Sequence, residues 1–190
     1  MILPIVAFGD PVLKKTAIDI TRDYPDLDKI IVDMFDTMYN AKGVGLAAPQ
    51  IGKSIRLFIV DASPFAEDPD DEEEAALKDF KKVFINARIV SEEGDTWKYN
   101  EGCLSIPKIR EDVFRKEVVH IRYCDVDFKE YEETYEGIAA RIIQHEYDHI
   151  EGKLFTDRIS ALRRRLLKGK LEDISKGRIE VDYKMRFPIR

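Results

Sequence analysis

His145, Glu146 and His149 stand in the order H-E-x-x-H, a spacing that on a helix sets two imidazoles one above the other, able to share one cation. Glu146 lies one position from His145 and faces sideways from that pair. Its carboxylate can therefore reach a water on the ion without being a ligand, which is where a general base belongs. Upstream, Cys103 in Glu101-Gly102-Cys103-Leu104-Ser105 is the best candidate for a third ligand, in a stretch that reads as a turn-edged strand. One thiolate and two neutral imidazoles leave a tetrahedral ion one open position, as catalytic rather than structural sites do. An ion in that setting lowers the pKa of water towards neutrality and generates hydroxide at physiological pH.

Blander readings exist for each residue. Two histidines can simply be hydrogen-bonded on a helix surface. Against that stand the helical period through the motif, a glutamate at the base position, and the absence of any other histidine except His120. A free cysteine is often a small buried hydrophobe, a role that Cys124 fits better than Cys103. Gln50, after Pro49, would pass for a surface amide if read alone.

The elements that position these residues follow from periodicity. Ile138, Ala139, Ile142, Ile143 and Tyr147 recur at helical spacing, so a helix is expected from Thr134 or Glu136 to near Gly152, with the two histidines in its second half. Leu27, Ile30, Ile31, Met34, Phe35 and Met38 predict an amphipathic helix within residues 23–40, capped by Asp26 or Asp28. Residues 55–60 form an apolar run expected to be a mostly buried strand, and Gly43 to Gln50 before it a shaped loop or edge. Strands are expected at 82–87, 88–92 and 113–128, and a further helix at 160–171 before a short tail.

The whole chain sets bounds. Its 190 residues fit one domain able to bury a core without staples, with 44% hydrophobic and 36% charged residues and a net charge of −6. Two cysteines do not make a disulfide framework. The apolar start lacks a basic leader and is broken by Gly9-Asp10-Pro11, and no run approaches the roughly 18 apolar residues of a membrane span, so a cytoplasmic protein without membrane partners is expected. Residues 66–74 carry seven acidic side chains, and the 66–82 stretch reads as a mobile acidic surface insertion. Residues 163–190 carry ten Lys or Arg against four acids, so the 160–190 segment reads as a basic helix and tail.

Three segments together are similar to the peptide deformylase family: Gly43-Val44-Gly45-Leu46-Ala47-Ala48-Pro49-Gln50, Glu101-Gly102-Cys103-Leu104-Ser105, and His145-Glu146-Tyr147-Asp148-His149. Phe8-Gly9-Asp10-Pro11-Val12-Leu13 also resembles the usual beginning of that family, and the resemblance spans about residues 2–162. It implies an α+β fold, with antiparallel and mixed β-sheets surrounding a central metal-binding helix and helices at the N- and C-terminal sides. It implies a metallohydrolase that removes the N-formyl group from the initiator methionine of nascent polypeptides and releases formate. Cys103, His145 and His149 would bind one divalent ion, Fe2+ first, with Zn2+ or Ni2+ able to take its place. Glu146 would act as base and then acid towards the water that attacks the formyl carbon. Gln50 and the Leu104 backbone N–H would stabilise the oxyanion.

The resemblance further implies that Gly43 and Gly45 let a peptide add itself as an extra strand, and that Val44, Ile138, Arg141 and Ile142 line a methionine pocket. Arg141 is expected to lay its stem on the rim with the guanidinium in water. Glu101, Gly102 and Arg110 are expected to fix the motif or the substrate backbone, and Asp148 to orient a neighbour. The basic end suits contact with ribosomal RNA, although the wet face of a helix explains it as well. Two rival functions are a zinc endopeptidase, which usually draws its third ligand from downstream, and a ribosome-binding module that has lost its chemistry.

Overall fold

The run Leu57-Phe58-Ile59-Val60 explains the layering, because all four side chains are fully buried although a strand points them alternately to two faces. Phe58 and Val60 pack with Phe84, Val119, Ile121, Ala140 and Ile143 on one side. Leu57 and Ile59 pack with Ile30, Met34, Met38, Leu46 and Ile85 on the other. A strand covered on both faces reads as a continuous apolar stretch rather than an alternation.

The computed structural model describes residues 1–188. Its elements in chain order are β1 (Ile5–Val6), α1 (Leu27–Asn40), β2 (Gly45–Ala47), β3 (Leu57–Asp61), α2 (Glu72–Ala75), β4 (Lys81–Cys103), β5 (Ile106–Cys124), β6 (Glu130–Glu136), α3 (Gly137–Ile150), α4 (Ala161–Ser175) and β7 (Met185–Arg186). The fold is α+β. Strands β2-β3-β4-β5-β6 form an antiparallel sheet in that order, and β1 pairs in parallel with β7 in a second, two-stranded sheet. Helix α3 lies against β2, β3, β5 and β6, its Ala139, Ala140, Ile142, Ile143 and Ile150 buried in the cluster around Phe58. A third apolar cluster joins Val6 and Leu13 to Ile106, Ile109, Val113 and Phe155, and is closed by Leu167, Leu171 and Ile174 of α4.

Several boundaries differ from the sequence reading. The strands expected at 82–87 and 88–92 are one ribbon, β4, which continues to Cys103 and folds back on β5 through Leu104 and Ser105. Register shifts along the pair break the alternation that would have announced its length. The strand expected from residue 113 starts at Ile106, and residues 130–136 are strand β6, so the helix with the histidines begins only at Gly137. Asp26 does occupy the N-cap of α1, but in a left-handed conformation and without a side-chain bond to the helix. Within the acidic stretch, Asp71 accepts hydrogen bonds from the N–H groups of Glu73 and Glu74 and caps the single helical turn α2. The basic segment is a packed helix through residue 175, and Ile189 and Arg190 lie outside the described residues. Among the described residues, no helix is long and apolar enough to cross a membrane.

Candidate metal centre

Helix α3 presents His145 and His149 on one face, with ring centroids 5.2 Å apart. Cys103 ends β4 and brings its sulfur to the same point. Donor atoms of Cys103, His145 and His149 all lie within 4.8 Å of one another, with Cys103 Sγ 3.4 Å from His149 Nε2. One sulfur and two imidazoles so placed form a group that could hold a metal ion, and they suit several first-row divalent cations.

Electrostatics prepare these ligands. Glu101 Oε1 lies 2.8 Å from His145 Nδ1, which places the proton on that nitrogen and turns the lone pair of Nε2 outwards. Burial disfavours a His145 cation, yet its hydrogen bonds to Cys103 and Glu101 win and hold its pKa well above the usual range. His149 is held well below its usual range by burial and by the neighbouring His145. The two neighbouring rings are thus driven in opposite directions.

Glu101 is itself fixed. Arg115 donates to it through Nε and Nη2 at 2.7 and 2.9 Å, and Arg141 Nη1 donates at 2.9 Å. Burial pushes the Glu101 carboxyl up, but its bonds to His145 and Arg115 outweigh this and keep it well below the carboxylate range. Arg115 also donates to Asp148 at 2.8 Å, and Arg158 adds bonds of 2.5 and 2.7 Å to the same carboxylate. Two carboxylates and three guanidiniums form one network behind the histidines.

Glu146 borders the same cavity as His145 and packs on β2. Its carboxylate is buried against β2, so close that a Cβ built on Gly45 would stand 2.7 Å from Glu146 Cγ. Oε2 has no hydrogen-bond partner, an oxygen left for a water or a substrate atom. Burial pushes this carboxyl up to about 7, which suits a group that takes and returns a proton near neutrality. Gln50 has a fixed orientation: its Oε1 accepts from the Ala47 N–H at 2.9 Å, and its Nε2 lies 3.2 Å from Ser105 Oγ and 3.5 Å from Cys103 Sγ.

A cavity of about 860 Å³ opens beside these groups. It is bordered by Gly43, Val44, Gly45, Gln50, Glu101 and Gly102, by Cys103 and Leu104, and by Ile138, Arg141, Ile142, His145 and Glu146. Of the site residues expected from the sequence, only Asp148 and His149 do not border this cavity. Arg141 is placed differently from the expectation. Its guanidinium is not in water but buried, donating to Glu101, to the Val113 carbonyl at 3.1 Å and to the Trp97 carbonyl at 2.8 Å, with the Trp97 ring 4.4 Å away. Glu101, expected near the substrate backbone, spends both oxygens on Arg115, Arg141 and His145, and Arg110 bonds to Asn100.

Sequence reasoning missed Arg115, Arg158, Ser105 and Tyr183. Arg115 shares the period-two phase of Ile109 and Val113 on β5, and a charged residue on the core face of a strand was a readable sign. Tyr183, whose hydroxyl donates to the Leu104 carbonyl at 2.7 Å, had no such sign.

Comparison with known proteins agrees with this geometry. Residues 2–165 match the sequence profile of the family described as Polypeptide deformylase. The chain is 60% identical over 190 residues to the peptide deformylase of Christiangramia forsetii, covering 99% of this chain and 97% of that protein. It is 54% identical to the peptide deformylase of Cytophaga hutchinsonii over the full length of both. Among solved structures, a peptide deformylase from Legionella pneumophila superposes with a TM-score of 0.77 at 40% identity, covering 94% of this chain and 98% of that one.

The buried network predicts the behaviour of Arg115→Ala. Removing this guanidinium leaves the Glu101 and Asp148 carboxylates short of a buried partner, at a cost of about 3–5 kcal/mol in unfolding free energy. Urea denaturation should register that loss, and elemental analysis should find less metal per chain because His145 is no longer braced. An unchanged denaturation midpoint would show that the network does not stabilise the fold.

Proposed function

The chain belongs to the peptide deformylase family, and on that premise we propose how this site carries out deformylation of the initiator methionine on nascent polypeptides, with release of formate. The observation that carries the reading is the meeting of Cys103, His145 and His149 beside a buried Glu146 whose Oε2 is unpartnered. A divalent cation held by those three side chains would supply Lewis acidity, lowering the pKa of water and polarising the formyl carbonyl. Ferrous iron is the assignment we favour, and zinc and nickel suit the same donors.

The protein's own groups do the rest. Glu146 takes a proton from the attacking water and passes it to the departing amine, so the same carboxyl serves as base and then as acid. Negative charge develops on the formyl oxygen, where the Gln50 amide and the Leu104 backbone N–H act as donors. Because the Gln50 carbonyl is tethered to Ala47, its NH2 is pre-aimed and need not reorganise during the reaction.

Substrate main chain lies along β2. This strand is at the edge of its sheet, and a peptide added there is held by backbone hydrogen bonds that ignore most side chains. Gly43 and Gly45 lie along this edge, where a Cβ at either would come within 2.8 Å of Leu104 or Glu146 and displace a group proposed for the chemistry. Val44, Ile138 and Ile142 give the methionine an apolar wall. Arg141 contributes from behind that wall, and Gly102 lends main chain at its mouth. Glu101 serves the substrate only through His145.

The chain works as one catalytic domain in the cytoplasm. Arg164, Arg165 and Lys168 on exposed positions of α4 give it a basic face towards ribosomal phosphates.

Three measurements test this. Glu146→Ala should lower formate release from a formyl-methionyl peptide by about 10²–10⁴-fold while metal content stays at the wild-type level; near-normal turnover would remove Glu146 from the chemistry. Metal analysis of anaerobically purified protein should find iron, and exposure to air should abolish activity as the site oxidises. Prolonged activity in air would favour zinc or nickel. Co-sedimentation with ribosomes should weaken with salt and in the double variant Arg164→Glu, Arg165→Glu; binding indifferent to both would end the docking idea.

A further inference from the structure

We infer that Tyr183, in the segment between α4 and β7, is a positioning residue for the reaction: its hydroxyl holds the Leu104–Ser105 turn so that the Leu104 N–H faces the formyl oxygen. The inference rests on the proposed role of the Leu104 N–H, and it adds a residue that lies outside the 2–165 segment matched by the family.

The turn between β4 and β5 carries unusual responsibility. Cys103 precedes it as a candidate ligand, and Leu104 within it offers the oxyanion donor. A two-residue turn has soft main-chain torsions unless its polar groups are tied. Beyond the Cys103–Ile106 strand pair that closes it, three further bonds tie it here. The Ser105 carbonyl accepts from the Phe8 N–H at 2.9 Å. The Ser105 hydroxyl meets Gln50 Nε2 at 3.2 Å. The Leu104 carbonyl accepts from Tyr183 at 2.7 Å, and this bond alone acts directly on the residue that bears the donor.

The position of Tyr183 is determined by the same N-terminal segment that holds Ser105. Ile5 N–H donates to the Lys184 carbonyl and Ala7 N–H to the Arg186 carbonyl, each at 2.9 Å, which seats β7 on β1. Phe8, next in line, holds the turn. One short segment thus sets both ends of the Tyr183–Leu104 bond. Glu180, Val181, Asp182 and Tyr183 also border the cavity, so the segment lies within reach of a bound peptide, and Tyr183 is half-buried there.

Tyr183→Phe removes only the hydroxyl and keeps the ring. Formate release should show kcat lower by about three- to tenfold, the change that one hydrogen bond of ordinary strength produces. KM for a formyl-methionyl tripeptide should stay within about twofold, because an oxyanion donor acts on the transition state more than on the bound substrate. Thermal unfolding midpoint and metal content should match the wild type, which separates positioning from mere upkeep of the fold or of the Cys103 ligand. Wild-type kcat in the variant overturns the inference and leaves the proposed function intact. A fall in kcat accompanied by equal loss of metal or of folded protein also overturns it. No formate release from metal-loaded wild type would overturn the proposed function, and this inference with it.

Discussion

A buried carboxylate needs partners or it costs several kcal/mol to keep charged, and Glu101 meets that constraint in a way that organises everything around it. Its two oxygens face Arg115, Arg141 and His145. The guanidiniums come from β5 and α3, the carboxylate from β4, so one charge ties the long hairpin to the helix. The same charge fixes the tautomer of His145. Fold and ligand orientation are therefore not separable properties here. A change that loosens the hairpin also loosens the imidazole.

The two acidic groups beside the histidines have been driven in opposite directions by their surroundings. Glu101 is flanked by cations and stays ionised, while Glu146, one helix position from His145, is buried without a hydrogen-bond partner for Oε2 and is pushed up to about 7. Identical functional groups are thus driven to opposite proton affinities by environment alone, which suits the proposed use of Glu146 as base. The sheet edge contributes to this, because β2 approaches Glu146 closely only where it has Gly45.

Much of this was legible in the sequence for specific reasons. The i, i+4 histidines sit on a helix whose apolar period is unbroken, and β3 announces itself by an apolar run that needs cover on both faces. The family resemblance carried the fold class and the activity. Other features escaped. The β4–β5 hairpin is far longer than its alternation suggests, because bulges reset the phase and residues 92–96 in the middle of β4 are all exposed. Arg141 was expected in solvent since an arginine on an apolar helix face has no local sign of the distant carboxylate that receives it. Tyr183 lies 79 residues from its partner, and no spacing rule spans such a separation.

The pairing of β1 with β7 has a consequence for how the protein comes into being. Residues 5–8 leave the ribosome early and must wait for 183–186 to complete their hydrogen bonding. The groove can gather its apolar walls from residues up to 150, but the turn beside the thiol is locked only once residues 183–186 are present. A copy interrupted before residue 183 would keep the apolar walls of its groove and lose the brace on its thiol-bearing turn.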